Sequence, residues 1–189
     1  LMSARAAAAS EARMDGCPLP VVTNSGSGNP GITTSVPIIV YCREKHLDEE
    51  TLYRALVFSN LCTIHEKTGI GRLSAFCGAV CAATAAGVTL TYLEGGTLEQ
   101  IGNTIRNTFA NISGIVCDGA KTTCALKIHT SLQSAFLASK LALRGKTYDA
   151  NTGILKETCE STIDAIGVLG KEGMKETDKI ILNIMLEKE

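Results

Sequence analysis

The sequence predicts a mainly α-helical, compact domain with glycine-rich loops at helix N-termini. Three observations predict it. Apolar residues recur at helical spacing, as Leu52, Ala55, Leu56, Ser59 and Cys62 do. Helix starts and stops are marked: Asp48 with Thr51, Thr97 with Gln100, then Gly95-Gly96 and Gly145. The connecting segments are dense in Gly, Ser and Asn. The 189 residues suffice for one sizeable core, and 45% hydrophobic with 20% charged residues excludes a disordered chain.

Taken in order, Leu1–Met14 is Ala-rich and helix-favouring. Asp15–Gly31 reads as a loop. Ile32–Arg43 is ambiguous: Thr33, Thr34, Val36, Ile38, Ile39 and Val40 would suit a strand, and the reading adopted is a helix broken near Pro37. A helix follows from Asp48 to about Lys67, ended by Gly69-Ile70-Gly71. Leu73–Leu93 is an uncharged run of 21 residues, long enough to cross a bilayer. Six of its residues are Ala and only six are Leu, Val or Phe, so a close-packed core helix of a soluble domain fits better. The capping pair Thr97 and Gln100 opens a helix over Leu98–Ile112. A turn at Ile115–Gly119 precedes a long helix from about Ala120 to Leu143. After a loop at Tyr148–Lys156, two short helices, Glu157–Gly170 and Thr177–Glu187, close the chain. No repeat, linker or boundary divides residues 1–189, which read as a single domain.

Charge and composition narrow the partners. Lys plus Arg is 18 and Asp plus Glu is 19, a net charge of −1, which argues against nucleic acid. Aromatics are 4% with no Trp, so no stacking platform for bases is offered. The eight cysteines stand at 17, 42, 62, 77, 81, 117, 124 and 159. Leu1–Met14 lacks the apolar stretch of a secretory signal, so the thiols read as reduced and the protein as cytoplasmic. A first residue Leu1 inside an Ala run suggests that a preceding part is missing and that this is the C-terminal portion of a longer chain.

Two constellations offer chemistry. The loop Thr23-Asn24-Ser25-Gly26-Ser27-Gly28-Asn29-Pro30-Gly31 brings small residues and short donors to a helix start, a cradle for a carboxylate or phosphate. It is not a Walker loop, because no Lys-Ser or Lys-Thr follows, and a polar turn is the plainer alternative. The second constellation is cysteine spacing. Cys117 and Cys124 flank a turn into a helix and can converge, and Cys77 would join them through tertiary packing. Three thiolates on a [4Fe–4S] cluster leave one iron open, but buried cysteine is also a common small hydrophobe. Cys77 and Cys81, at i and i+4, could equally form a helix face or half a zinc site, although no Cys-x-x-Cys pair is present. Cys17, Cys42, Cys62 and Cys159 carry no motif and read as packing residues. His46, His65 and His129 lie far apart and read as surface or capping residues, and Lys127 as a solvated lysine or a neighbour of the cysteines.

Three segments together resemble the L-cysteine desulfidase family, related to the iron–sulfur L-serine dehydratase alpha chain. They are Asn24-Ser25-Gly26-Ser27-Gly28-Asn29-Pro30-Gly31, Ile70-Gly71-Arg72-Leu73-Ser74-Ala75-Phe76-Cys77-Gly78 and Cys117-Asp118-Gly119-Ala120-Lys121. The resemblance runs along nearly the whole chain and is to the C-terminal portion of family members. It implies an oxygen-sensitive [4Fe–4S] enzyme without pyridoxal phosphate, catalysing α,β-elimination from L-cysteine to pyruvate, ammonia and sulfide, or from L-serine or D-serine to pyruvate and ammonia. Carried onto this sequence, the cluster ligands are Cys77, Cys117 and Cys124, and Asn24, Ser25, Gly26, Ser27, Gly28 and Asn29 hold the substrate carboxylate. In the desulfidase family the base is a cysteine of the N-terminal half; no residue here matches it, so the chain alone is expected to be inactive. Its expected partners are a small amino acid, the missing N-terminal half, and another copy of the chain where the Ala-rich start leaves an apolar face. Two rival readings remain: a non-catalytic helical binding module with inert core cysteines, and a phosphate-binding module using the 24–29 loop. The second lacks the Lys and acidic magnesium ligand of nucleotide sites.

Overall fold

The computed structural model describes residues 1–72 and 74–187. Among them are eight α-helices: α1 (Met2–Met14), α2 (Gly28–Glu44), α3 (Glu49–Thr68), α4 (Gly78–Leu93), α5 (Leu98–Asn111), α6 (Cys124–Leu143), α7 (Cys159–Val168) and α8 (Lys175–Leu186). A single π-helical turn, Leu169–Gly173, joins α7 to α8. Isolated bridges, Asn24 with Ser27 and Phe76 with Val116, are the sheet-like pairings in the described residues.

Helix α4 is the axle of the bundle. Every residue from Ala79 to Thr91 is buried, and the helix packs against α2, α3, α5 and α6. Its small side chains permit this. A Cβ on Gly87 would stand 2.7 Å from the Ala135 carbonyl oxygen and 2.9 Å from Ala135 Cβ, so the α6 backbone lies directly on α4. The threonines do not leave orphaned polar atoms: Thr84 and Thr89 donate to the carbonyls of Val80 and Ala85, each at 2.8 Å. Thr91 hydrogen-bonds with Thr104 of α5 at 2.7 Å and donates to Ser139 of α6 at 2.8 Å, which ties three helices at one buried point. Thr34, Ser59 and Thr63 do the same between α2 and α3. Apolar packing divides over two sides of α4, one built on Ile38, Ile128 and Leu132, the other on Phe76, Phe109 and Ile166.

Several sequence expectations are corrected. Helix α2 runs unbroken through Pro37, because burial of Ile32, Thr33, Thr34, Ile38, Val40 and Cys42 in a helical bundle overrides their strand preference. The uncharged run is not helical from its start: α4 begins at Gly78, because Ala75–Cys77 pair in extended form with 115–117. Leu73, where that run begins, lies outside the described residues, as do residues 188 and 189. Helix α6 begins at Cys124 rather than near Ala120. The Ala-rich α1 packs on α2 and α6 with Ser3, Ala6 and Ser10 buried, and Leu1, Ala4, Ala8 and Ala12 remain exposed on its outer side. Larger exposed apolar side chains lie on two other helices: Tyr53, Val57, Leu61 and Ile64 form a stripe on α3, and Ile180, Leu182, Ile184 and Met185 are exposed on α8. No described helix is long and apolar enough to cross a membrane.

Candidate functional site

The site is assembled from three helix starts and two short extended segments. Asn24 and Ser27 exchange backbone hydrogen bonds of 3.0 and 3.2 Å. Ser25 (φ 51°) and Gly26 (φ 96°) occupy the turn between them, so both central residues are left-handed, as a tight two-residue turn requires. Gly31 then has a steric duty. A Cβ there would sit 1.9 Å from the Val22 carbonyl oxygen, so the strand leading into the turn rests on bare backbone of α2.

The second segment carries two of the cysteines. Cys77 donates its amide to Ile115 O at 2.8 Å and Cys117 donates to Ala75 O at 2.7 Å, flanking the Phe76–Val116 bridge. Alternation along extended chain puts Phe76 on one face, where it is buried in the core, and Cys77 and Cys117 together on the other. Cys124, the first residue of α6, completes the group; its thiol donates to Gly119 O at 3.6 Å and its sulfur accepts the Lys121 amide at 3.5 Å.

All three cysteines line one cavity of about 300 Å³, together with Ser25, Gly26, Ser27 and Asn29 of the first loop and with Lys67 and Arg72. Three helices begin there: α2 after Ser27, α4 after Cys77 and α6 at Cys124. None of these three starts has a side-chain cap, whereas α3, α5 and α7 are capped by Asp48, Thr97 and Thr158. Uncapped amides and aligned dipoles make the cavity wall electropositive.

The thiols are polarised unequally. A hydrogen bond from the Cys77 thiol holds Cys117 well below the usual thiol range, helped by the Gly119 amide and the Lys127 charge. The same contact with Cys117, with burial, pushes Cys77 up. Lys127 is therefore a neighbour of the thiols rather than a solvated side chain: its ammonium donates to Val116 O at 2.9 Å and pairs with Asp118. Asp118 also pairs with Lys121, and these two lysines lower its carboxyl to about 2.

Other expected residues are placed differently. Asn24 is buried behind the loop, where its amide donates to Asn60 Oδ1 at 2.9 Å and its oxygen accepts the Ser25 hydroxyl at 2.7 Å. Gly28 also stands behind the cavity, under Arg13, whose guanidinium donates to Asn29 Oδ1 at 2.9 Å. Cys81 does not join Cys77: it is wholly buried in the other apolar cluster, and burial raises its thiol. Among the described residues no three His, Cys, Asp or Glu side chains meet closely enough for a single metal ion, so the zinc reading gains nothing. A cubane cluster gives each thiolate its own iron, so its ligands surround it instead of meeting at a point. Three thiols around one electropositive cavity fit that donor set. Cys17 is exposed on the loop after α1, not packed. His65 bonds Glu160 at 2.7 Å across α3 and α7, and no histidine lines the cavity among the described residues. Sequence reasoning missed Lys67 and Arg72; Arg72 stands inside the motif with Cys77, which was the available signal. A larger cleft of about 640 Å³ between α5 and α6 contains neither thiol nor cation.

The family model described as serine dehydratase alpha chain matches residues 1–183. A UPF0597 protein of Treponema denticola is 52% identical over 181 residues, covering 96% of this chain and 42% of the relative. UPF0597 proteins of Lachnoclostridium phytofermentans and Desulfitobacterium hafniense are 53% and 55% identical, covering 95% and 97% of this chain and 43% of each relative. The chain thus spans less than half the length of these curated relatives. No solved structure matches.

Proposed function

We propose, for a chain that belongs to the serine dehydratase alpha chain family, that it is the cluster-holding part of an amino-acid lyase performing α,β-elimination on L-cysteine, or in the second reading on serine. The observation that carries this is the convergence of Cys77, Cys117 and Cys124 with the Ser25–Asn29 turn on one cavity ringed by uncapped helix starts. The family's printed name favours the serine reading, and the resemblance to the L-cysteine desulfidase family favours cysteine.

Cys77, Cys117 and Cys124 would hold a [4Fe–4S] cluster, which when bound supplies a Lewis-acidic iron for the leaving thiol or hydroxyl. The residues themselves do the rest. Cys117 is readied as a thiolate by its donors. The dipoles of α4 and α6 offset the negative charge gathered at their first residues. The Ser27 hydroxyl, with the amides that begin α2, orients a carboxylate and stabilises charge developing beside it, while Ser25, bonded to Asn24, shapes the turn. Asn29, whose oxygen is taken by Arg13, is left with its amide N–H groups to offer. The titratable side chains lining the cavity are the three cysteines, Lys67 and Arg72 among the described residues, so the α-proton acceptor is assigned to a part of the protein outside them. A cytoplasmic, reducing setting suits such a thiol set.

The test is anaerobic reconstitution of the natural protein with iron and sulfide. Single Ser replacements at Cys77, Cys117 and Cys124 should each abolish the iron–sulfur absorbance and pyruvate release, while replacement at Cys42 or Cys81 should not. Retention of the chromophore in all three variants overturns the ligand set. Sulfide release from cysteine against pyruvate release from serine decides the substrate.

A further inference from the structure

Lys67 is a buried cation without an acid. It is only 6% exposed, it lines the thiol cavity, and among the described residues no carboxylate pairs with it. Its ammonium donates to Gly71 O at 2.8 Å and Arg72 O at 3.4 Å, which leaves one of its three N–H donors free. The other cations near the cavity are otherwise engaged or outward. Lys127 is bound to Asp118, and Arg72, which also lines the cavity, is exposed to solvent where Lys67 is buried. Burying an ammonium without a counter-charge is unfavourable unless an anion arrives to complete it.

The position of the stem is equally specific. Lys67 leaves the last turn of α3 and crosses the start of α4. A Cβ on Gly78 would meet Lys67 Cε at 3.0 Å and Pro30 Cγ at 3.2 Å. The absence of a side chain at Gly78 is what lets the lysine reach between the cysteine side of the cavity and the α2 side. Of the cavity walls, the Ser25–Asn29 turn is the one that joins a free side-chain hydroxyl to uncapped helix amides without carrying a thiol, and Lys67 lines the same cavity.

We infer that Lys67 Nζ, with the Ser27 hydroxyl and the α2 amides, forms an anion subsite that takes the α-carboxylate of a small amino or thiol acid. This rests on the lyase reading of the same cavity and adds the residue that selects for a carboxylate end. Lys67 is a binding residue here, and its ammonium, held by two carbonyls, acts as a fixed charge.

The experiment is calorimetric binding to the natural full-length protein prepared without oxygen. The probes are 3-mercaptopropionate, its neutral analogue 3-mercaptopropanamide, and cysteamine, which has a thiol and no carboxylate. In the wild type, 3-mercaptopropionate should bind roughly 10- to 100-fold more tightly than the amide, the range expected for a hydrogen bond to a charged group. Lys67→Met should remove that advantage and leave cysteamine binding unchanged, and Lys67→Arg should retain part of it. Equal loss of all three probes in Lys67→Met would show that the lysine merely props the 69–72 loop, and would overturn the subsite. Equal affinity of the acid and amide in the wild type, or binding of neither, overturns it without recourse to any variant. A wild type that discriminates acid from amide but releases no pyruvate would instead refute the lyase reading and leave the subsite standing.

Discussion

Substitution of Gly31 by Ala tests the geometry on which the carboxylate cradle depends. Gly31 lies inside α2, where Gly→Ala ordinarily stabilises by about 1 kcal/mol through helix propensity. Here the new methyl carbon would begin 1.9 Å from Val22 O and 2.9 Å from Val22 C, with Asn24 N at 3.5 Å. The obstruction is backbone, so no side-chain rotation relieves it, and the segment leading into the turn must lift. Overpacking of this kind costs about 3 kcal/mol at its upper range, so the net loss is about 2 kcal/mol after the propensity gain. For a chain of this length that is a fall in Tm of roughly 4–8 °C. Gly102→Ala supplies the control: in α5 its nearest contact is Cys159 Sγ at 3.4 Å, an ordinary approach, and it should stabilise the protein by up to about 1 kcal/mol. Paired urea titrations and thermal scans read both. Lifting the turn should also weaken 3-mercaptopropionate binding, because Ser25 and Ser27 move with Val22–Asn24. A Gly31→Ala protein as stable as the wild type would refute the close crossing of Val22 over α2, and with it the account of how the turn is held.

Glu66 is wholly buried with neither carboxylate oxygen bonded, and burial raises its pKa well above the usual carboxylate range. The native state then holds the proton more firmly than the unfolded chain, so stability present at acid pH is lost as pH rises through the native value; Glu66→Gln should flatten urea midpoints across that window and exceed wild type at pH 8. In the reduced, cluster-free protein, Cys117 should be alkylated by iodoacetamide at lower pH than Cys77, and Cys77→Ala should move the Cys117 rate profile upward, because the Cys77 thiol is the main support of its thiolate; peptide mapping after timed quenching reads this, and an unmoved profile refutes the contact. Thr91→Val should cost about 1–3 kcal/mol in chemical denaturation by stranding the Ser139 hydroxyl in the core, while Thr104 keeps its bond to Gln100 O; a neutral result would mean that Ser139 finds another partner.

The exposed stripe Tyr53–Val57–Leu61–Ile64 and the apolar outer side of α8 bear on what the rest of a longer family member would cover. Since the curated relatives extend well beyond the matched region, these faces are where added chain would find apolar surface, and Ile64 adjoins the 23–26 segment at the mouth of the site.

What the sequence determined by itself was whatever depends on short-range chemistry. The N-cap of α3 and the capping box of α5 placed the starts of those helices, because Asp48 and Thr97 accept from the amides of Thr51 and Gln100. The uncharged, Ala-rich run announced the buried central helix, because only small side chains tolerate neighbours on every side. The Ser25-Gly26 turn and the three cysteines were legible as motifs. Tertiary structure alone decided the rest. That α2 continues through Pro37 follows from its burial, which no local preference encodes. That Cys77 and Cys117 share a face follows from a pairing forty residues apart, Ala75–Cys77 with Ile115–Cys117. Asn24, part of the motif, proved to be a support because Asn60 comes from another helix to meet it. Lys67 carried no signal at all, being one more lysine at a helix end. Its meaning arises only where α3 ends against the start of α4, with Gly78 bare enough to let a cation cross and with no carboxylate among the described residues paired with it.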